Sequence, residues 1–208
     1  QRQMCIRDRK QVLFEDNRTI SIDKEPDSDF RAYAKGHVLG VYAELRKAIM
    51  TAYNDMGVVT DERGHIVWKR GDRKTRAVLE LANGAEPVEA QNSLEGSLRL
   101  LLEQEGIYAD IRSALDDGKS PYQILQQNSK KAVKNFTGCN LSSVLYYVSE
   151  GSYVLAMTDA NSGEIIVGYD AQNIYILDAL SGQMTKLGQK DAAAKYEASG
   201  NVFFSFLK

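Results

Sequence analysis

This chain is poor in the residues that mark several common classes of protein. Its 208 residues include two cysteines, two histidines, three prolines and one tryptophan. Two cysteines allow at most one disulfide, so a disulfide framework is excluded. The spacing of Cys and His matches no metal site, and no glycine-rich phosphate loop is present, so we expect no cofactor. No apolar run approaches the ~20 residues needed to span a bilayer.

What remains is the composition of an ordinary globular protein. Hydrophobic residues make up 43% of the chain and charged residues 26%, and the length suits one domain or two small ones. Residues 1–9 have no periodicity, and we expect them to be non-native sequence of the kind found at the ends of some gene models. Residues 10–29 are polar and are predicted to be a linker. If this is right, Cys139 is the only native thiol.

Residues 30–72 are predicted to form a small ββαββ unit. One hairpin turns at Lys35-Gly36 and a second at Arg63-Gly64. Between them, apolar residues recur at helical spacing, and Gly57 follows as the expected left-handed residue after the helix. The apolar helix positions are Leu45, Ala48, Ile49, Ala52, Tyr53 and Met56. A unit of this size buries little apolar surface, so we expect it to pack on a neighbour.

The rest of the chain predicts helices first and an antiparallel sheet after them. Residues 73–90 are interpreted as a connector with a short strand at 77–81. Helices are predicted at 94–106, 111–115, 121–127 and 141–148, with Ser120 capping the third and Thr137 or Asn140 the fourth. Strands are predicted at 153–158, 165–169, 174–178 and 201–206. This order gives residues 91–208 an α+β fold class.

A short basic cluster lies at the start of the connector. It consists of Lys69, Arg70, Arg73, Lys74 and Arg76. No aromatic residues are interleaved with it, and the net charge of the whole chain is -2. We therefore expect a solvated segment and no nucleic-acid partner.

The stretch from residue 151 to residue 182 carries a family resemblance. It contains G-S-Y-V-L-A-M, then G-E-I-I-V-G-Y-D, then N-I-Y-I-L-D-A-L-S-G. This pattern resembles the second half of papain-like cysteine peptidases of the bacteriocin-processing type. That family has G-H followed by apolar residues and G-Y-D, then a strand that ends in asparagine-aspartate-proline. The resemblance covers residues 91–208 and implies a papain-like domain there.

In that family the histidine after the glycine is the general base, and the aspartate of the last segment orients it. Here Gly163 is followed by Glu164, whereas Asp178 is present. The resemblance therefore implies that the base has been replaced while its orienting residue has been kept.

The nucleophile of the family opens the first long helix, shortly after a glutamine that contributes to the oxyanion hole. The matching run is Q-N-S-L-E-G. It places Gln91 at the oxyanion position and Ser93 at the nucleophile position, with Ser97 as an alternative alignment. If this alignment holds, Gln91, Ser93, Glu164 and Asp178 should line one cleft.

These replacements remove the chemistry that the family uses. An alcohol stays protonated without a strong base, and a carboxylate is too weak a base to activate it. Ser93 is then expected to be an N-cap, and Asp178 a residue that accepts backbone hydrogen bonds at a strand end. We predict a non-catalytic papain-like module of a larger bacterial protein that binds a peptide or protein partner or serves a structural role. The resemblance suggests an extracytoplasmic or cell-envelope location.

The alternative is an active hydrolase. It would use Cys139 with His37 or His65, or Ser93 with Glu164. Both histidines lie at hairpin turns of the small unit, so those turns would have to pack over the thiol. Without such packing, Cys139 is expected to be a partly buried structural residue.

Overall fold

The computed structural model describes residues 29–71 and 73–207. The predicted segment 1–9 and nearly all of the predicted linker lie outside these residues. Within them the chain forms six α-helices and two antiparallel sheets, so the α+β fold class is confirmed. No helix in the described part is long and apolar enough to cross a membrane.

The first sheet has four strands in the order β2-β1-β3-β4. Its elements are β1 (Phe30–Ala34), β2 (His37–Tyr42), α1 (Leu45–Asn54), β3 (Val58–Thr60) and β4 (Ile66–Lys69). Both hairpins turn where they were predicted, because Lys35 and Gly36 have φ of 49° and 80°, and Gly64 has φ of 83°. The ββαββ arrangement is therefore observed.

The end of α1 differs by one residue from the prediction. Met56, with φ of 54°, is the left-handed residue, and the Gly57 amide donates to the Ala52 carbonyl oxygen at 2.8 Å. Gly57 is needed for a different reason. A Cβ there would lie 2.2 Å from the Tyr33 carbonyl oxygen, so the backbones of β1 and the α1 terminus approach too closely for a side chain.

The second sheet has seven strands, in the order β10-β9-β8-β7-β11-β6 with β5 paired to β8. Its strands are β5 (Ala77–Val78), β6 (Ala132–Asn135), β7 (Val154–Met157), β8 (Gly163–Tyr169), β9 (Asn173–Leu177), β10 (Met184–Gly188) and β11 (Val202–Leu207). The accompanying helices are α2 (Ser93–Glu103), α3 (Ile111–Asp116), α4 (Pro121–Asn128), α5 (Leu141–Ser149) and α6 (Gln189–Ala198). The elements β6, β10 and α6 were not predicted.

Each face of this sheet contributes to a separate apolar core. Ile165 and Val167 of β8 pack in the core that contains α2, α3 and α4. Ile166, between them, packs in the core that contains α1, α5 and α6. Successive side chains of a strand point to opposite faces, so β8 divides its residues between the two cores.

The small unit packs on α5, as its size led us to expect. Trp68 of β4 is 1% exposed and donates its indole N–H to the Ser143 carbonyl oxygen at 3.1 Å. The Tyr147 hydroxyl donates in return to the Val67 carbonyl oxygen at 3.2 Å. One core thus crosses the predicted boundary at residue 72, and the division into domains stays a prediction.

The basic cluster is only partly solvated, unlike the expectation. Lys74 and Arg76 are exposed, but Arg70 and Arg73 are half-buried. Each of these two guanidinium groups lies over a tyrosine ring, which shields it from water.

Candidate functional site at the start of helix α2

Asn92, rather than Ser93, is the N-cap of α2. Asn92 has an extended backbone, and its side chain accepts a hydrogen bond from the Glu95 amide at 2.9 Å. The helix therefore begins with Ser93 as its first residue, and the prediction of Ser93 as the cap was off by one position. Asparagine is as good a cap as serine, so residue preference alone does not separate the two.

Both candidate nucleophile positions are used to attach α2 to β8. The Gly163 amide donates to Ser93 Oγ at 3.2 Å, and Ser97 Oγ donates to the Gly163 carbonyl oxygen at 3.0 Å. We call these two contacts the serine bridge. The Leu94 amide adds a third attachment by donating to the Asn161 carbonyl oxygen at 3.1 Å. An amide of the first helical turn is thus already paired within the protein.

Gly163 permits this attachment because it has no side chain. A Cβ at this position would lie 3.1 Å from Leu94 Cα and 3.2 Å from Leu155 Cδ1. The start of β8 therefore lies directly against the first turn of α2. A larger residue at position 163 would need α2 or the neighbouring side chains to move.

Glu164 points away from α2, to the opposite face of the sheet. Its carboxylate accepts hydrogen bonds from Lys195 Nζ at 2.7 and 2.8 Å and from the Tyr196 hydroxyl. Tyr196 belongs to the core that contains α5 and α6. Burial, and then the nearby Glu164 charge, raise the pKa of Tyr196 well above its usual value.

Glu164 therefore does not line one cleft with Ser93, and the expected arrangement of the four residues is wrong at this position. The reason is the alternation of strand side chains: Gly163 and Ile165 face α2, so Glu164 faces α6. The structure brings Ser93 to the backbone beside Glu164 but does not bring the two side chains together.

Asp178 has the structural role that was expected of it. Its Oδ1 accepts from the Leu180 amide at 2.8 Å and from the Ser181 amide at 3.4 Å. The Asp178 carbonyl oxygen also accepts from the Gly182 amide at 2.9 Å. These bonds hold the turn between β9 and β10, which is a usual use of aspartate.

Gln91 is held by a charged network that the sequence analysis did not identify. With its amide oxygen turned toward α3, Gln91 accepts from Arg112 at 2.8 and 3.1 Å. Its backbone N–H donates to Glu95 Oε2 at 3.0 Å. Glu95 is 2% exposed and pairs with Arg99 at 2.8 Å and with Arg112 at 3.6 Å. The spacing of Glu95 and Arg99, four residues apart on a helix, was the available signal.

Cys139 does not have the surroundings of a nucleophilic thiol. It is 1% exposed, and burial raises its pKa to about 12, with Arg46 opposing this only in part. Its Sγ contacts the Arg46 carbonyl oxygen at 3.8 Å. His65 is paired instead with Asp61, at 3.3 Å, and His37 is exposed on β2. A reactive cysteine needs an environment that favours the thiolate, and this one favours the neutral thiol.

The described residues contain no group of three or more His, Cys, Asp or Glu side chains that could hold a metal ion. The groups that the structure brings together at the start of α2 are two hydrogen-bonding serines, a buried carboxylate and two arginines.

Comparison with known proteins bears on the fold. No family model matches the chain, and no curated protein matches it. Among solved structures, a protein from Bacillus anthracis that is described as a C39-like peptidase superposes with a TM-score of 0.52 at 16% sequence identity. The match covers 65% of this chain and 98% of the other. It confirms the papain-like fold, and at this identity it shows the fold alone.

Proposed function

We propose that the chain is a non-catalytic papain-like module, which acts by binding a peptide or protein partner or as a structural part of a larger bacterial protein. The observation that supports this is the serine bridge. The place where the resemblance puts a nucleophile is a joint between α2 and β8, and the side chains at that joint are used for structure.

The hydrogen bonds of the two serines carry the argument. A serine nucleophile needs a base within hydrogen-bond reach of its hydroxyl. Ser93 Oγ instead accepts from a backbone amide, and Ser97 Oγ donates to a backbone carbonyl oxygen. Neither partner can accept a proton during a reaction.

The position of the general base leads to the same proposal. Glu164 is on the far face of the sheet, where Lys195 and Tyr196 donate to it. A base that faces away from the nucleophile cannot act on it, whatever its protonation state. The alternative hydrolase built on Cys139 is disfavoured because burial holds its thiol in the neutral form.

Labelling with activity-based probes tests the proposal. We expect neither a serine-directed fluorophosphonate nor a thiol-directed epoxide to label Ser93, Ser97 or Cys139 in the folded protein. Mass spectrometry of the digested protein distinguishes these sites from Cys5. As controls, urea-unfolded protein should show alkylation of Cys139, and the Ser93→Ala variant should behave like the unmodified chain. Stoichiometric labelling of Ser93 or Cys139 that disappears on unfolding would refute the proposal.

A further inference from the structure

A cavity of about 440 Å³ lies where the small unit meets α5 and the loop after β8. Its apolar wall is formed by three aromatic rings in a row. The ring centroids of Tyr53 and Trp68 are 6.3 Å apart, and those of Trp68 and Tyr146 are 6.4 Å apart. The volume is in the range of small-molecule sites, and mixed apolar and charged walls are typical of them.

Two arginines on the wall of this cavity are fixed by aromatic rings. Arg70 Cζ lies 3.8 Å from the ring centroid of Tyr53, and the Arg70 guanidinium also donates to the Tyr53 carbonyl oxygen. Arg73 Cζ lies 4.7 Å from the ring centroid of Tyr169. The Tyr169 hydroxyl in turn donates a hydrogen bond to the Lys74 carbonyl oxygen at 2.8 Å. Stacking of this kind orients a guanidinium group and leaves its N–H edge for a ligand.

The described wall of this cavity is basic. Lys69 and Lys74 line it together with the two arginines, and none of the described lining residues is acidic. Arg73 Nη1 is shielded from solvent and has no hydrogen-bond partner in the described part of the chain. Residues 69–76 contain five basic residues and one acidic residue, Asp72, which lies outside the described residues.

We propose that this cavity binds the oxyanion group, carboxylate or phosphate, of a small ligand. A fixed guanidinium group offers two parallel N–H donors, which match the two oxygens of either group. The aromatic rings would contact the body of the ligand. The site is separate from the serine bridge, so it does not depend on whether the module is catalytic.

Trp68 provides the measurement, because it is the only tryptophan of the chain and it lines the cavity. We expect its fluorescence to change saturably on titration with inorganic phosphate or with succinate, at an ionic strength held constant with chloride. Comparison of these two anions identifies the preferred group. Absence of saturable change with both anions would overturn the proposal.

Matched variants locate the binding. Arg73→Gln should weaken it about ten-fold or more, since a charged hydrogen-bond donor is lost. Arg73→Lys should also weaken it, because the charge stays but the paired donors do not. Arg76→Gln is the control, since Arg76 belongs to the same basic cluster but is exposed and does not line the cavity. Thermal unfolding followed by circular dichroism verifies that each variant is folded.

Two further results would contradict the proposal. Equal weakening in Arg73→Gln and Arg76→Gln would indicate unspecific attraction to the basic cluster. Binding of phosphate or succinate that is seen only in the Asp72→Asn variant would indicate that the Asp72 carboxylate takes the place of the ligand in the unmodified chain.

Discussion

The direction of Glu164 can be tested by installing the peptidase pair. The double variant Ser93→Cys, Glu164→His places a thiol and an imidazole at the positions that the resemblance assigns to nucleophile and base. In contact, at ~4 Å and an effective dielectric constant of ~20, an imidazolium would stabilise the thiolate by about 4 kcal/mol. That energy would lower the thiol pKa by about 3.

The structure predicts a smaller effect. The serine bridge holds position 93 on one face of β8, whereas the side chain at 164 faces α6. At ~10 Å, across the sheet and with the same effective dielectric constant of ~20, the charge contributes about 1.7 kcal/mol, which lowers the pKa by about 1.2. We therefore expect no catalytic pair and a shift of the thiol pKa of less than half the value for contact.

The assay is the pH dependence of alkylation by iodoacetamide, in a Cys5→Ser background and with the labelled site identified by mass spectrometry. The reference is Ser93→Cys, Glu164→Gln, which removes the same negative charge and keeps an oxygen acceptor for Tyr196. A thiol pKa at least 2 lower in the histidine variant than in this reference would refute the placement of Glu164 on the far face.

Three other predictions concern stability. Ser97→Ala should lower the free energy of unfolding in urea by about 1–2 kcal/mol, because a fully buried hydroxyl loses its bond to β8, whereas Ser113→Ala at an exposed position should change it by less than ~0.5 kcal/mol. Equal effects of the two substitutions would show that the hydrogen bond of Ser97 in the serine bridge does not stabilise the fold. Burial gives Cys139 a folded-state pKa of about 12, above the unfolded value of ~8.5, so its contribution to stability is complete below pH ~8.5 and is lost as pH rises toward 12. The free energy of unfolding should fall by at most ~1.4 kcal/mol per pH unit in this range, and this fall should be absent from the Cys139→Ala variant. Identical pH profiles of the variant and the unmodified chain would contradict this. A fragment of residues 29–71 should unfold without cooperativity, because Trp68 lacks its α5 partner, and a sharp calorimetric transition at the midpoint of the whole chain would show that it folds independently.

Local signals predicted the small unit well. Its turns need residues with positive φ, and Gly36 and Gly64 supply them next to β-branched and aromatic residues. The helix between the hairpins buries four of the six residues that recur at helical spacing, whereas Tyr53 is half-buried and Met56 is exposed beyond the end of the helix. In both cases the local sequence and the tertiary packing require the same structure.

The elements that were missed lack an apolar pattern. In α6 only Ala192 and Tyr196 are buried, so this helix follows from the propensity of alanine, lysine and glutamate rather than from periodicity. The edge strand β10 is largely exposed and is ordered by its pairing with β9. Such elements depend on neighbours that are distant in the sequence.

The resemblance predicted the papain-like fold but not the arrangement of the candidate site. The motif around Gly163 predicted consecutive strands and, through the resemblance, a papain-like fold, and the comparison with a solved structure confirms that fold. The direction of Glu164 depends on which residues of β8 face α2, and the alternation of Gly163, Ile165 and Val167 carried that information. The role of Glu95 required knowledge of α3, because Arg112 reaches it from another helix.

Strand β5 has a consequence for how the chain could be divided. It joins the larger sheet by pairing with β8, and the Leu79 amide donates to the Val167 carbonyl oxygen at 2.8 Å. Further along, the Val88 amide donates to the Ala179 carbonyl oxygen at 2.8 Å. Asn83 and Gly84, between these attachments, are exposed. A protease cut there would leave two polypeptides that each keep an anchor on the same sheet, so the molecule is suited to reassembly from complementary halves.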